Sequence, residues 1–165
     1  MTVKVVFTYF LLLLISVRYI PAQTGSIANE KNLYYIALSA YLSKRNKMYE
    51  GNAGLKKTDF LNICVEKDEQ LTNGLPNQIG RNTLEYLDYP AKLVRFKQNK
   101  GGFRLIVIRP IKNEGSDLII DFDEYLWSYS KRRSIYSLSD GCRVVLKYDY
   151  EKKEFIAEKI QLWGV

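Results

Sequence analysis

From Phe103 to Trp163 the side chains alternate between apolar and polar in strand-length segments, with turn signals between the segments. Successive side chains of a strand point to opposite faces, so this alternation marks strands with one face toward a core and the other toward water. Phe103 to Arg109 is a near-continuous apolar strand ended by Pro110. Leu118 to Tyr129 sets Leu118, Ile120, Phe122 and Leu126 against Ile119, Asp121, Asp123, Tyr125 and Trp127. Cys142 to Tyr150 sets Val144, Leu146 and Tyr148 against Arg143, Lys147 and Asp149, and Glu154 to Trp163 closes the series with an apolar end expected to pack into the sheet. Asn113-Glu114-Gly115-Ser116, Lys131-Arg132-Arg133, Ser139-Asp140-Gly141 and Glu151-Lys152-Lys153 supply the turns. Consecutive strands with short links build an antiparallel meander.

Upstream the period changes. Leu33, Ile36, Ala37, Ala40 and Tyr41 recur at helical spacing, flanked by Tyr34 and Leu38, which predicts an amphipathic helix from an N-cap at Asn29 to about Lys47. Lys44, Arg45 and Lys47 fall in its last turn, where the helix dipole favours cations, and Gly51 to Gly54 ends it. Phe60 to Glu66 reads as a strand, followed by a long turn-rich connection over residues 67–82 and a short strand at Thr83 to Leu87. Pro90 suits the first position of a second, shorter helix, Ala91 to Gln98, stopped at Lys100-Gly101-Gly102.

The order is helix, strand, strand, short helix, then four antiparallel strands. It predicts an α+β domain in which a long N-terminal helix packs on a curved, mainly antiparallel sheet of about five to six strands. Over residues 23–165 this layout resembles the cystatin-like and nuclear transport factor 2-like (NTF2-like) cone folds, through element order and not through a sequence motif. It departs from the latter in opening with a single long helix. The resemblance implies a pocket between helix and sheet and no particular activity.

The first residues read as an export signal. One cation, Lys4, precedes an uncharged apolar run from Val5 to Val17, too short for the about 20 residues a membrane-spanning helix needs. Arg18 closes the run, and Ala22 offers a small residue for cleavage. The expectation is a signal peptide over residues 1–22 and one domain over residues 23–165, secreted or periplasmic, with no transmembrane anchor in the mature chain. Cleavage removes Lys4 and Arg18 from a formal net charge of +7, leaving a modest excess of cations that permits an anionic partner without requiring one. Export turns the reading away from nucleic acid. It also makes Cys64 and Cys142 a candidate disulfide, on the condition that their strands are neighbours with Cα atoms within about 7 Å.

The chain contains no histidine, which excludes Ser-His-Asp and Cys-His catalysis and the usual histidine-bearing metal sites. Walker A and Asp-rich calcium-loop patterns are missing too, so no cofactor and no metal is expected. Carboxylates are the remaining acid–base candidates, and Asp121-Phe122-Asp123-Glu124 is the densest group. Asp121, Asp123, Tyr125 and Trp127 share one strand face: two carboxylates beside aromatic rings, able to serve a glycosidase-like pair or to hold a sugar or cationic ligand. The plainer reading is a solvent-facing row whose acids pair with cations on neighbouring strands. Lys131-Arg132-Arg133, flanked by Tyr129 and Tyr136, is the densest basic group and suits an anionic glycan, a lipid headgroup or an acidic protein. These features point first to an exported, non-enzymatic binding or interaction domain with a protein or glycan partner outside the cytoplasm. Two alternatives stand beside it: a small pocket enzyme using Asp121 or Asp123 with a tyrosine, and an inhibitor or immunity-type protein acting through a strand edge or the 67–82 connection.

Overall fold

A computed structural model describes residues 32–50, 61–99 and 101–164. The expected signal peptide over residues 1–22, the N-cap at Asn29 and the helix stop at Gly51 to Gly54 lie outside the described residues. Helix α1 spans Leu33–Glu50. Its start is marked by Asn32, whose Oδ1 accepts from the backbone N–H of Tyr34 (2.9 Å) and Tyr35 (3.4 Å), an N-cap that satisfies donors the first helical turn leaves orphaned. The buried stripe is Ala37, Leu38, Tyr41, Leu42, Arg45 and Asn46. Leu38 therefore lies at the centre of the apolar face rather than beside it, with Leu33, Ile36 and Ala40 packed along its margin.

Among the described residues eight strands follow: β1 (Asn62–Glu66), β2 (Gln78–Ile79), β3 (Asn82–Leu87), β4 (Phe103–Ile108), β5 (Lys112–Glu114), β6 (Asp117–Ser130), β7 (Arg133–Asp149) and β8 (Glu154–Trp163). They form one sheet in the order β2-β3-β1-β4-β6-β7-β8, with β5 paired to β6. The α+β class and the C-terminal meander β4-β6-β7-β8 agree with the sequence reading. The sheet is larger than expected, and mixed rather than mainly antiparallel, because β1 lies parallel to both neighbours, β3 and β4. Parallel neighbours need crossover connections. One is the 67–81 segment. The other is helix α2, Tyr89–Gln98, capped by Asp88 Oδ1 on the Ala91 N–H (2.9 Å) with Pro90 in its first turn.

Helices α1 and α2 lie on opposite faces of the sheet. Under α1, Ile63, Val65, Ile106, Ile120, Phe122, Cys142, Val144 and Leu146 meet Ala37, Leu38, Tyr41 and Leu42. Under α2, Cys64, Leu87, Phe103, Leu105 and Trp127 meet Ala91, Leu93 and Phe96. Ala37, Leu38, Leu42, Ile120, Phe122, Val144 and Leu146 are all 0% exposed. The helix–sheet interface is thus filled with side chains where the fold resemblance implies a pocket.

This geometry corrects the disulfide expectation. Cys64 and Cys142 are free and buried. Two strands, β4 and β6, separate β1 from β7. Three strand spacings amount to roughly 14 Å, and the two thiols belong to cores on opposite faces. A disulfide needs Cα atoms within about 7 Å.

Ser139-Asp140-Gly141 is likewise not a turn. Strand β7 runs through it from Arg133 to Asp149. The register passes from Glu124↔Asp140 to Tyr125↔Leu138, leaving Ser139 as the extra residue of a bulge, its Oγ donating to the Glu124 carbonyl (3.0 Å). Gly141 serves a close approach: a Cβ there would stand 2.3 Å from the indole of Trp163 on β8, which pairs with it. Strand β8 is the edge of the sheet, and Trp163 is half-buried on its outer face.

Candidate functional site

The expected row is present. On β6, Asp121, Asp123, Tyr125 and Trp127 share the face that α2 covers at its far end. The row divides in two. Asp121 accepts from Arg143 Nε (2.8 Å) and Nη2 (3.1 Å) on β7 and from Lys112 Nζ (2.8 Å) on β5. Asp123 accepts from Arg109 Nε (2.6 Å), and Arg109 Nη2 donates to the Tyr125 hydroxyl (2.7 Å). Trp127 is fully buried, packed edge-on by Phe96 at 5.9 Å and tilted against Phe103 at 5.2 Å.

The electrostatics follow from those partners. The Arg143 hydrogen bonds, seconded by Lys112, outweigh partial burial and hold the Asp121 carboxyl below the usual carboxylate range. A general acid needs the opposite, a carboxyl raised toward the working pH. The two acids of the row form an ion-paired ladder with Arg109, just past the end of β4, Lys112 on β5 and Arg143 on β7. A shallow depression of about 300 Å³ lies over it, bounded by Arg109, Lys112, Asp121, Asp123, Arg143 and Trp163.

Among the described residues the most buried acid is a neighbour on the other face. Glu124 is 1% exposed and receives four donors: Tyr41 Oη (3.0 Å), Arg45 Nε and Nη2 (3.1 Å each) and Arg104 Nη1 (3.0 Å). Arg104 also donates to Asp140 Oδ2 (2.8 Å) and to the Tyr49 hydroxyl (3.1 Å). Burial alone raises the Glu124 carboxyl, but the guanidinium hydrogen bonds reverse it and keep the group ionised below the usual range. Burial and the adjacent carboxylate push the Tyr41 hydroxyl far up. This hub ties α1 to β4, β6 and β7. The sequence carries one signal for it: Ala37, Tyr41 and Arg45 fall at i, i+4, i+8, so the cation shares the buried stripe.

A third region stands out by its exposure. Strand β4 pairs with β6 only from Trp127 inward, and β8 pairs with β7 only from Gly141 inward. From Ser128 to Ile135 strands β6 and β7 therefore run as a two-stranded tip through the turn at Lys131 and Arg132, and this tip stands on a three-stranded base in which β6 124–127 pairs with both β4 and β7 136–140; tip and base together are the arm. Four of the eight exposed large hydrophobic residues among the described residues lie at 126–138: Leu126 (47%), Ile135 (43%), Tyr136 (41%) and Leu138 (60%). Leu126 and Ile135 share one face of the hairpin, Tyr136 and Leu138 the other. The arm's base is fixed. The Tyr136 hydroxyl donates to Glu66 (2.9 Å) and accepts from Lys92 (3.0 Å), which itself pairs with Glu66, and the Tyr136 ring meets Tyr125 edge-on at 5.5 Å.

Among the described residues no group of three or more acid, cysteine or histidine side chains is arranged to hold a metal ion, and no helix is long and apolar enough to cross a membrane. Comparisons with protein-family models, with curated proteins and with solved structures return no match for this chain.

Proposed function

We propose that this chain is a small exported, non-enzymatic binding or interaction domain, released by cleavage after residues 1–22 and working in the periplasm or outside the cell, with the β6–β7 arm as its contact surface. The observation that carries the reading is the arm itself. Exposed apolar side chains scattered singly over a surface need no explanation, but a cluster at one end of the sheet, with Ile135 on the two-stranded tip and Leu126, Tyr136 and Leu138 at its base, marks an interaction site. The packed helix–sheet interface and the ion pairing of Asp121 with Arg143 and Lys112 and of Asp123 with Arg109 support binding over catalysis, because both carboxylates are engaged by cations of the fold itself.

The test is site-specific photo-crosslinking in the exporting cell. A crosslinker at Leu138 is expected to capture an envelope or extracellular component, and one at Thr83, exposed on β3, is not. Capture from Thr83 and none from Leu138 overturns the assignment of the arm.

A further inference from the structure

We infer that the β6–β7 arm docks on a bilayer surface rich in anionic phospholipid headgroups. The inference rests on the reading of the arm as the contact surface and names what it contacts. Three observations carry it. The first is charge: residues 126–138 hold Lys131, Arg132 and Arg133 and no acid, and all three cations are exposed. Clustered lysine and arginine beside apolar and aromatic side chains is the composition that binds anionic membrane surfaces.

The second observation is the two-sided exposure. A flat protein surface covers only one face of a hairpin. Here Leu126 and Ile135 are exposed on one face, Tyr136 and Leu138 on the other. That suits a medium that surrounds the arm, the boundary between headgroups and acyl chains. Long cationic side chains at the tip reach back to the phosphates while the apolar side chains behind them are immersed.

The third is backbone strain. Ser130 and Arg133 pair across a two-residue turn, and both turn residues have positive φ, Lys131 at 48° and Arg132 at 63°. Such a turn favours Asn-Gly, because side chains with a Cβ are disfavoured in the left-handed region. Two long cations occupy these positions instead. A local choice that opposes the backbone preference points to a role for the side chains.

The experiment is co-sedimentation of the exported protein with phosphatidylglycerol–phosphatidylcholine vesicles and with pure phosphatidylcholine vesicles, any contribution of residues 1–22 being common to all variants. Binding to the anionic vesicles only, weakening with added salt, is expected. Arg132→Gln with Arg133→Gln should weaken it by roughly 30-fold, from about a factor of five per basic residue at an anionic surface. Ile135→Ser with Leu138→Ser should weaken it independently of salt. These side chains are exposed, so thermal melts of both variants should match the parent. Parent-like vesicle binding by both double variants overturns the inference, as does failure of the parent to bind anionic vesicles. If vesicles fail while a crosslinker at Leu138 captures a protein, the lipid assignment falls and the arm remains the contact surface. If Leu138 captures nothing either, both fall.

Discussion

Replacing Glu124 by Gln tests whether the buried hub holds α1 to the sheet. The carboxylate neutralises Arg45, which is 4% exposed, and shares Arg104 with Asp140. A neutral amide offers one acceptor oxygen where four donors converge, and turns its own N–H groups toward guanidinium donors. Breaking a buried pair by removing one partner costs about 3–5 kcal/mol, since the other charge is left uncompensated. Against a typical stability of about 5–15 kcal/mol that is a large fraction, and a domain of this size should lose roughly 10–20 °C in Tm. The assay is equilibrium urea denaturation, where the midpoint should fall with the slope unchanged. The comparison that isolates the mechanism is Tyr41→Phe, Arg45→Met and Glu124→Leu together, which removes the buried charges and their hydroxyl partner while Arg104 keeps Asp140. That variant should regain most of the loss, because a buried ion pair is often replaceable by apolar groups of similar volume. Loss below about 1 kcal/mol for Glu124→Gln, or a triple variant no better than it, would refute the reasoning. The pH dependence has a definite sign. The folded carboxyl is depressed, so its contribution is present above the unfolded value and disappears as pH falls through the folded one.

Other consequences are as direct. Gly141→Ala places a methyl 2.3 Å from the Trp163 indole, so the ring should be expelled at a cost of about 1–3 kcal/mol; tryptophan fluorescence should shift red, and combination with Trp163→Ala should be less than additive. Cys64 and Cys142 should resist a thiol reagent in the native protein and both react once it is unfolded, since burial pushes Cys142 up to about 12 and raises Cys64 as well; a single intramolecular disulfide in the isolated protein would contradict the topology. Lys131→Asn with Arg132→Gly should stabilise the fold by about 1 kcal/mol in urea denaturation by relieving the positive-φ turn; a lower midpoint would show that the cations fit the turn.

The sequence conveyed elements better than their arrangement. Period-two alternation located β6 and the last strand to within a residue or two, because alternation records which face is buried. It contains nothing about which strands are neighbours. The parallel placement of β1 between β3 and β4 depends on crossovers, and the Cys64–Cys142 expectation failed on that point. Ser139-Asp140-Gly141 has turn composition, yet the same residues make a bulge and a landing for Trp163, a distinction only the neighbouring strand determines. Asp121, Asp123, Tyr125 and Trp127 were legible as a row, but not that Arg109, Lys112 and Arg143 would close on its acids, or that α2 would cover Trp127. Glu124 was counted with Asp121 and Asp123 as one acidic group, and its burial was not legible because it differs from Asp123 only in pointing to the opposite face. The basic, aromatic stretch around Lys131 was visible; its extension beyond the sheet follows only from where β4 and β8 stop pairing.

The most direct test of the account is hydrogen–deuterium exchange on the exported protein alone and with membranes from its own host. Strand β7 has no β8 partner before Gly141, so amides at 133–140 that point away from β6 should exchange quickly in the free protein. With membranes present, slowed exchange concentrated at 126–140, and unchanged exchange around Asp121, Arg143 and Trp163, is the predicted result. Protection around those three residues with the arm unaffected would contradict it and move the contact surface to the ion-paired face.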